Sequence, residues 1–379
     1  MRLGDVIVSF NKQRVPLSAQ QRKTRQGNYR YYGAQGVIDW IDGYIFDGEY
    51  MLVAEDGENL LSRKQPVAYL VDGQFWVNNH AHILRCNESA DIRFLCYMLN
   101  AMDISAYITG SAQPKLSQSS LNAIEVDLPD IDTQRAIADT LVALDDRIAN
   151  NKKINHHLEQ MAQAIFKSWF VDFEPWGGVM PADWQEFPLD KVMEISTKTL
   201  NPQSCPYEII EHYSIPAFDE TRLPVFEKAS EIKSNKYIID KDCFLISKLN
   251  PTTKRIWRPY CISDYPVCST EFIVYRAKNR AHKDFYYSVI DSPAFTDFLL
   301  SHVTGSTGSR QRAIPSSTLL FLHAIPSDEI IENFCDKVAA IYAQFEQNHL
   351  ENLRLRQVRD TLLPKLMSGE LSIADLAAK

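Results

Sequence analysis

Apolar residues recur at alternating four- and three-residue steps in two stretches of this chain. The first seam runs Ile137, Leu141, Leu144, Ile148, Asn151, Asn155, Leu158, Ala162, Ile165, Trp169. The second runs Phe334, Val338, Ile341, Phe345, Asn348, Asn352, Leu355, Arg359, Leu362, Leu366. That spacing predicts two long coiled-coil helices. Elsewhere the pattern shortens. Glu49–Ala54 and Phe75–Val77 have strand character between glycines, and Ile92–Met102 reads as a helix. Residues 1–132 therefore form a first mixed unit. Leu128-Pro129-Asp130 stops it and caps a helix over 133–175, which ends near Phe173 before Pro175, Gly177, Gly178 and Pro181. A second unit covers 184–327. A second helix covers 328–367, and Pro364 is expected to bend or end it after Leu363.

The repeat extends beyond the helices. Thr109-Gly110-Ser111 answers Thr304-Gly305-Ser306, Ser119-Ser120 answers Ser316-Ser317, and Val77 through Arg85 resembles Val267 through Tyr275 in apolar pattern. The fold class expected is α+β: two globular units joined by two long antiparallel helices, with a pseudo-twofold internal repeat. Each helix is about 38 residues, or about 57 Å, with its asparagine pair near the midpoint. Antiparallel pairing sets Asn151 against Asn352 and Asn155 against Asn348. Buried amide layers of this kind fix register, because slippage sets amides against hydrocarbon; solvated interruptions of the seam are the alternative.

Length and composition suit two or three globular domains: 379 residues, 45% apolar. No apolar run reaches bilayer-spanning length, and Met1-Arg2-Leu3-Gly4-Asp5 does not open a signal peptide. Seven cysteines without a Cys-x-x-Cys spacing read as free thiols in a reducing, cytoplasmic setting. The net charge of −8 argues against nucleic acid until its distribution is considered. Residues 6–38 hold no acid but carry Lys12, Arg14, Arg22, Lys23, Arg25 and Arg30. Residues 243–263 hold no acid but carry Lys248, Lys254, Arg255 and Arg258, and residues 298–327 carry Arg310 and Arg312. Local basic stripes of this sort bind phosphates on an otherwise acidic chain.

Catalytic motifs are missing. Gly305-Ser-Thr-Gly-Ser-Arg310 lacks the lysine and spacing of a phosphate loop, and no Asx-Pro-Pro-aromatic motif resembles an amino-methyltransferase site. Glu231-Ile-Lys233 has no partner aspartate for a nuclease centre. His80 and His82 lack a third metal ligand. Binding candidates are better founded. Thr109, Gly110, Ser111, Gln113 and Lys115 form one polar loop, and Thr304, Gly305, Ser306, Arg310, Gln311 and Arg312 form its counterpart. Their hydroxyls and glycine amides suit phosphates, while the longer side chains suit base edges. Tyr31, Tyr32 and Gln35 adjoin the first basic stripe and either line a groove or pack in a strand. Lys248, Asn250, Lys254 and Arg255 occupy a proline-bounded loop. Phe166, Phe170 and Phe173 lie off the seam, where they either dock a partner or pack on the adjoining unit.

Certain motifs carry a family resemblance. Leu128-Pro-Asp-Ile-Asp-Thr-Gln-Arg-Ala-Ile-Ala138 and Asn155-His-His-Leu-Glu-Gln-Met-Ala-Gln-Ala-Ile-Phe-Lys-Ser-Trp-Phe-Val-Asp-Phe-Glu174 resemble the central helix of type I restriction–modification specificity subunits. Arg359-Asp-Thr-Leu-Leu-Pro-Lys-Leu-Met-Ser-Gly-Glu-Leu371 resembles their C-terminal helix. Tyr31-Tyr-Gly-Ala-Gln-Gly36, Phe46-Asp-Gly-Glu49 and Trp76-Val-Asn-Asn-His80 look like one class of target-recognition domain, which adds Asn79 and His80 to the candidates. Ser214-Ile-Pro-Ala217, Ile232-Lys-Ser234 and Ser247-Lys-Leu-Asn-Pro251 look like another.

The resemblance implies two target-recognition domains, each reading one half of a split site in double-stranded DNA. It implies helices that set the spacing and dock two methyltransferase subunits, with restriction/translocase subunits completing the complex. The chain itself would be non-catalytic and hold no cofactor. S-adenosylmethionine, ATP and magnesium would belong to its partners. Against the family pattern, the second unit has a lead-in at Asp183–Pro188, whereas the first starts almost at once. The first unit is expected either to lack that strand or to borrow Ser368–Leu371. A standalone DNA-modifying enzyme and a protein-interaction scaffold are the competing readings.

Overall fold

The structure is a computed structural model that describes residues 1–110, 113–305 and 311–377. The chain forms two compact units, Met1–Ile148 with the segment from Arg354 onward, and Ala149–Leu353. Two forty-residue helices, Ile131–Phe170 and Asp328–Met367, join them and contribute to both. Asp130 starts the first helix: its carboxylate accepts from the backbone N–H of Thr133 at 2.9 Å. The helix ends at Phe170, three residues before the expected point, and left-handed backbone at Phe173, Gly177 and Gly178 turns the chain away. Pro364, expected to end or bend the second helix, lies inside it. The last turn is held by packing, because Leu362, Leu363, Leu366 and Met367 all join the core of the first unit.

In the first unit, strands Ile7–Ser9, Ala81–Cys86, Tyr50–Ala54 and Ala68–Val71 form an antiparallel sheet in that order. The central strand Tyr50–Ala54 is buried throughout. Met51 and Val53 face a core that includes Ile137, Leu141 and Leu366 of the helices. Tyr50 and Leu52 face a second core with Phe46, Phe75 and Val77. Burial on both faces explains why this strand reads as an unbroken apolar run. The second sheet orders Gly36–Ile41, Gln26–Gly33, Gln74–Val77 and Phe46–Asp47, with the middle pair parallel. As one of the two expectations had it, no lead-in strand forms among the described residues of the first unit: a single isolated bridge stands in its place. Met1 and Leu3 bond the backbone of Val126 and Ile124, with an Arg2–Glu125 bridge between them. Leu371, Ile373 and Leu376 pack against the same core.

The second unit repeats this plan. Met193–Ser196, Phe272–Ala277, Cys243–Ser247 and Ile256–Trp257 form its first sheet. Phe244 and Ile246 enter the core shared with the helices, and Cys243 and Leu245 enter the other. The second sheet orders Thr199–Leu200, Lys236–Ile238, Pro266–Ser269, Ile209–Tyr213 and Val225–Lys228. Its lead-in, Gln185–Pro188, pairs antiparallel with Leu322–Ile325.

The helices run antiparallel within each unit. In the second, Asn151 Nδ2 donates to Asn352 Oδ1 at 3.0 Å, and Asn348 Nδ2 donates to Asn155 Oδ1 at 2.7 Å. All four asparagines are at most 4% exposed. In the first, Arg359 reaches Asp145 at 2.6 Å, and Tyr97 donates to the same carboxylate at 2.5 Å. The arginine that interrupts the apolar seam therefore meets a carboxylate on the facing helix.

Candidate nucleic-acid interface

In the first unit, three loops converge beyond the end of strand Tyr50–Ala54. The N–H of Glu55 donates to His80 O at 2.9 Å, that of Leu116 to Glu55 O at 2.8 Å, and that of Gly57 to Pro114 O at 3.0 Å. Thr109 and Lys115 close the polar loop by exchanging backbone hydrogen bonds at 2.9 and 2.7 Å. The Thr109 hydroxyl also donates to Lys115 O at 3.3 Å. Side chains assemble on this frame. Glu55 accepts from Arg14 at 2.7 Å and pairs with Lys115 at 3.3 Å, and His80 pairs with Asp56 at 2.7 Å. Burial opposes ionisation of Glu55, but its cationic partners, Arg14 foremost, hold the carboxyl below its ordinary range. His82 lies beneath, 1% exposed, bonded to Asn11 and to Leu116 O. Its burial lowers its pKa.

The second unit builds the same frame from different residues. The N–H of Lys248 donates to Glu271 O, that of Ala313 to Lys248 O, and that of Asn250 to Gln311 O, each at 2.9 Å. Thr304 pairs with Arg312, and its hydroxyl donates to Arg312 O at 3.3 Å. Lys115 bridges Asp56 in one unit, and Arg312 bridges Leu249 in the other. Gly57 and Asn250 occupy the same turn with positive φ, +115° and +48°. Glycine and asparagine are the residues that tolerate that backbone best. Gly110 and Gly305, with φ of +86° and +107°, open the two loops.

The expected basic stripes do not survive folding as free charge. Arg22 pairs with Asp39, Arg25 with Asp42, Lys254 with Asp291, Arg255 with Asp219, and Arg312 with Glu271. Each acid comes from a segment outside the acid-free window or at its edge, so the window overstated the local field. Among the described residues Lys12, Lys23 and Lys248 make no ion pair. Gln35, Asn79, His80 and Gln113 are exposed. Ser111, Ser306 and Arg310 lie outside the described residues.

Two expectations are corrected. Tyr31 and Tyr32 are core residues, 0% and 5% exposed. The Tyr31 hydroxyl is engaged at 2.9 Å by the N–H of Leu17, so neither ring lines a groove. Phe166 and Phe170 are each 4% exposed and pack on Phe285 and Phe334 inside the second unit. Phe173 packs on Trp184. Packing inside the second unit covers Phe166 and Phe170 and leaves those two rings no room for a partner, while Phe173 is half-buried. Sequence reasoning missed Glu55, Asp56 and Glu271, the acids that organise both loops. No local signal marks them, since their partners are remote in sequence. Among the described residues no cluster of three or more His, Cys, Asp or Glu is arranged to hold a metal. No helix there is long and apolar enough to cross a membrane.

Two units of one topology, each closing a polar loop on the same frame and joined by two long helices, make this chain an internal duplication. Residues 1–160 match the family model described as type I restriction modification DNA specificity domain. A Haemophilus influenzae chain named as a type I restriction enzyme specificity subunit is 34% identical over 142 residues, which covers 38% of this chain and 36% of that relative. The HindI specificity subunit of the same organism is 25% identical over 406 residues, covering 86% of this chain and 84% of its own. The MjaIX specificity subunit of Methanocaldococcus jannaschii is 23% identical, covering 84% and 79%. The crystal structure of the S subunit of a type I system from M. genitalium has the same fold, with a TM-score of 0.63 at 16% identity over 97% of this chain and 95% of that one. Over most of its length the chain is thus similar to specificity subunits of type I restriction–modification systems, and its first 160 residues match their DNA specificity domain.

Proposed function

We propose that each unit reads one half of a bipartite sequence in double-stranded DNA, and that the two helices set the distance between the halves. The observation that carries this reading is the doubled frame: two loops, Thr109–Lys115 and Thr304–Arg312, closed by the same bonds but furnished with different side chains. One reader duplicated and then diversified suits two dissimilar half-sites. On this reading the chain performs no chemistry. Methyltransferase subunits dock on it and supply S-adenosylmethionine, and translocase subunits supply ATP and magnesium chemistry. Ion-paired cations favour oriented contacts over indiscriminate attraction to phosphate, while Lys12, Lys23 and Lys248 furnish backbone contacts.

The test is selection from a random duplex pool by the chain assembled with its methyltransferase subunits. Two short conserved segments separated by a fixed, sequence-free gap are expected. Recovery of one contiguous motif, or of none, would contradict the reading. A standalone enzyme would instead methylate or cut DNA without other subunits. An interaction scaffold would leave the assembly without sequence preference.

A further inference from the structure

The shared frame allows the two loops to be compared position by position. Glu55 corresponds to Lys248, His80 to Glu271, Gly57 to Asn250 and Lys115 to Arg312, because the same backbone bonds join each set. The cation at the return of the loop is kept. The carboxylate that holds it is not: it comes from position 55 in the first unit and from position 271 in the second. Where the first unit has Glu55 the second has Lys248, and where the first has His80 the second has Glu271. The backbone is constant while the charges are exchanged.

Resting on the half-site reading above, we propose that Arg312, oriented by Glu271, reads a guanine edge, and that Lys248 contacts the phosphate backbone beside it. The geometry of the ion pair supports the first part. Nε of Arg312 donates to Glu271 Oε2 at 3.1 Å, and Nη2 donates to Oε1 at 3.4 Å. The carboxylate therefore occupies one side of the guanidinium and leaves the Nη1–Nη2 end facing outward. The side chain is 47% exposed. Two parallel N–H donors match O6 and N7 of guanine in the major groove. The pair is close to neutral overall, so it gains little from a phosphate, which the carboxylate repels. It gains from a matched pair of acceptors, because its donors are already aimed. Lys248 is half-buried and makes no ion pair among the described residues, so it keeps its full charge for a phosphate. In the first unit Lys115 occupies the place of Arg312 but shares Glu55 with Arg14. A compact ammonium there has no bidentate fork, and so selects differently.

The test uses the full chain assembled with its methyltransferase subunits, on its selected site and on every single-base variant of it, over a range of salt. Arg312→Ala and Glu271→Gln are expected to lose discrimination at one guanine of one half-site by about 10–100-fold. All other positions and the salt slope should be unchanged. Glu271→Asp should restore part of that discrimination, which a merely structural carboxylate would not do. Lys248→Ala should weaken all sequences alike and lower the salt slope by about one contact. If Arg312→Ala weakens every sequence equally with a lower slope, or leaves binding untouched, the assignment is overturned. A wild-type assembly without sequence preference would instead sink the half-site reading on which the assignment rests.

Discussion

Replacing Asn348 with leucine is the sharpest probe of the helix pair in the second unit. Asn348 donates to Asn155 Oδ1 at 2.7 Å, and both side chains are 4% exposed. After the substitution the Asn155 carbonyl stays buried without that donor. An unsatisfied buried polar group costs about 1–3 kcal/mol, and the extra apolar burial of leucine returns roughly 1 kcal/mol. The net loss is up to about 2 kcal/mol. Hydrogen exchange of peptides spanning 149–158 and 342–352 reads this locally, without requiring two-state unfolding of a chain with two units. Exchange there should quicken by up to roughly 30-fold, since 1.4 kcal/mol is a factor of ten. Asn155→Leu should behave alike, because it orphans the Asn348 amide. The double variant should return to within about 1 kcal/mol of the parent, because replacing both partners removes the unpaired group. A double variant that exchanges as fast as the two single effects summed would refute the idea that the amides act as a pair.

Other consequences concern the second unit. Glu211 is 0% exposed, and its carboxylate accepts from the Tyr213 hydroxyl at 2.6 Å and from the N–H and hydroxyl of Ser263 at 2.8 and 2.9 Å. Glu211→Ala should destabilise this unit by about 1–3 kcal/mol for each buried donor it leaves unsatisfied, seen as a lowered melting transition; an unchanged transition would contradict the buried network. His323 sits among the rings of Phe166, Phe285 and Phe321, and burial pushes its pKa down to about 4. Its folded pKa lies below the unfolded one, so its share of stability is full above about pH 6.5 and is lost as pH falls toward 4. His323→Phe should flatten that part of the stability profile by about 2–3 kcal/mol, measured by denaturant unfolding at pH 7 and pH 4.5.

What was legible in the sequence was whatever depends on short-range periodicity. The four- and three-residue steps placed both helices within a few residues, because a helical face is a local property. The asparagines could be matched across the pair because antiparallel symmetry leaves one partner for each. The charge of the interface was not legible in this way. Arg14 is neutralised by Glu55, Arg255 by Asp219, and Arg312 by Glu271. Each partnership is made by strand topology, which a window along the chain does not sample. The equivalence of the two frames was hidden for a related reason. Loop lengths differ between Gly57 and His80 and between Asn250 and Glu271, so the offset between matching positions drifts, and within the polar loops themselves Thr-Gly-Ser is what remains visible of the repeat. Phe166 and Phe170 were open to two readings because periodicity shows that they leave the seam but not what lies beyond it.

The central claim is that two readers are held at a set separation by the helices. Inserting one heptad into each long helix, after Ile148 and after Leu353, keeps the seam in phase and adds about 10 Å of helix. The measurement is base-resolution mapping of methylated sites in cells carrying this chain with its methyltransferase subunits. The account predicts the same two half-sites separated by a gap about three base pairs longer, at roughly 3.4 Å per pair. Altered half-sites, or an unchanged gap, would contradict it.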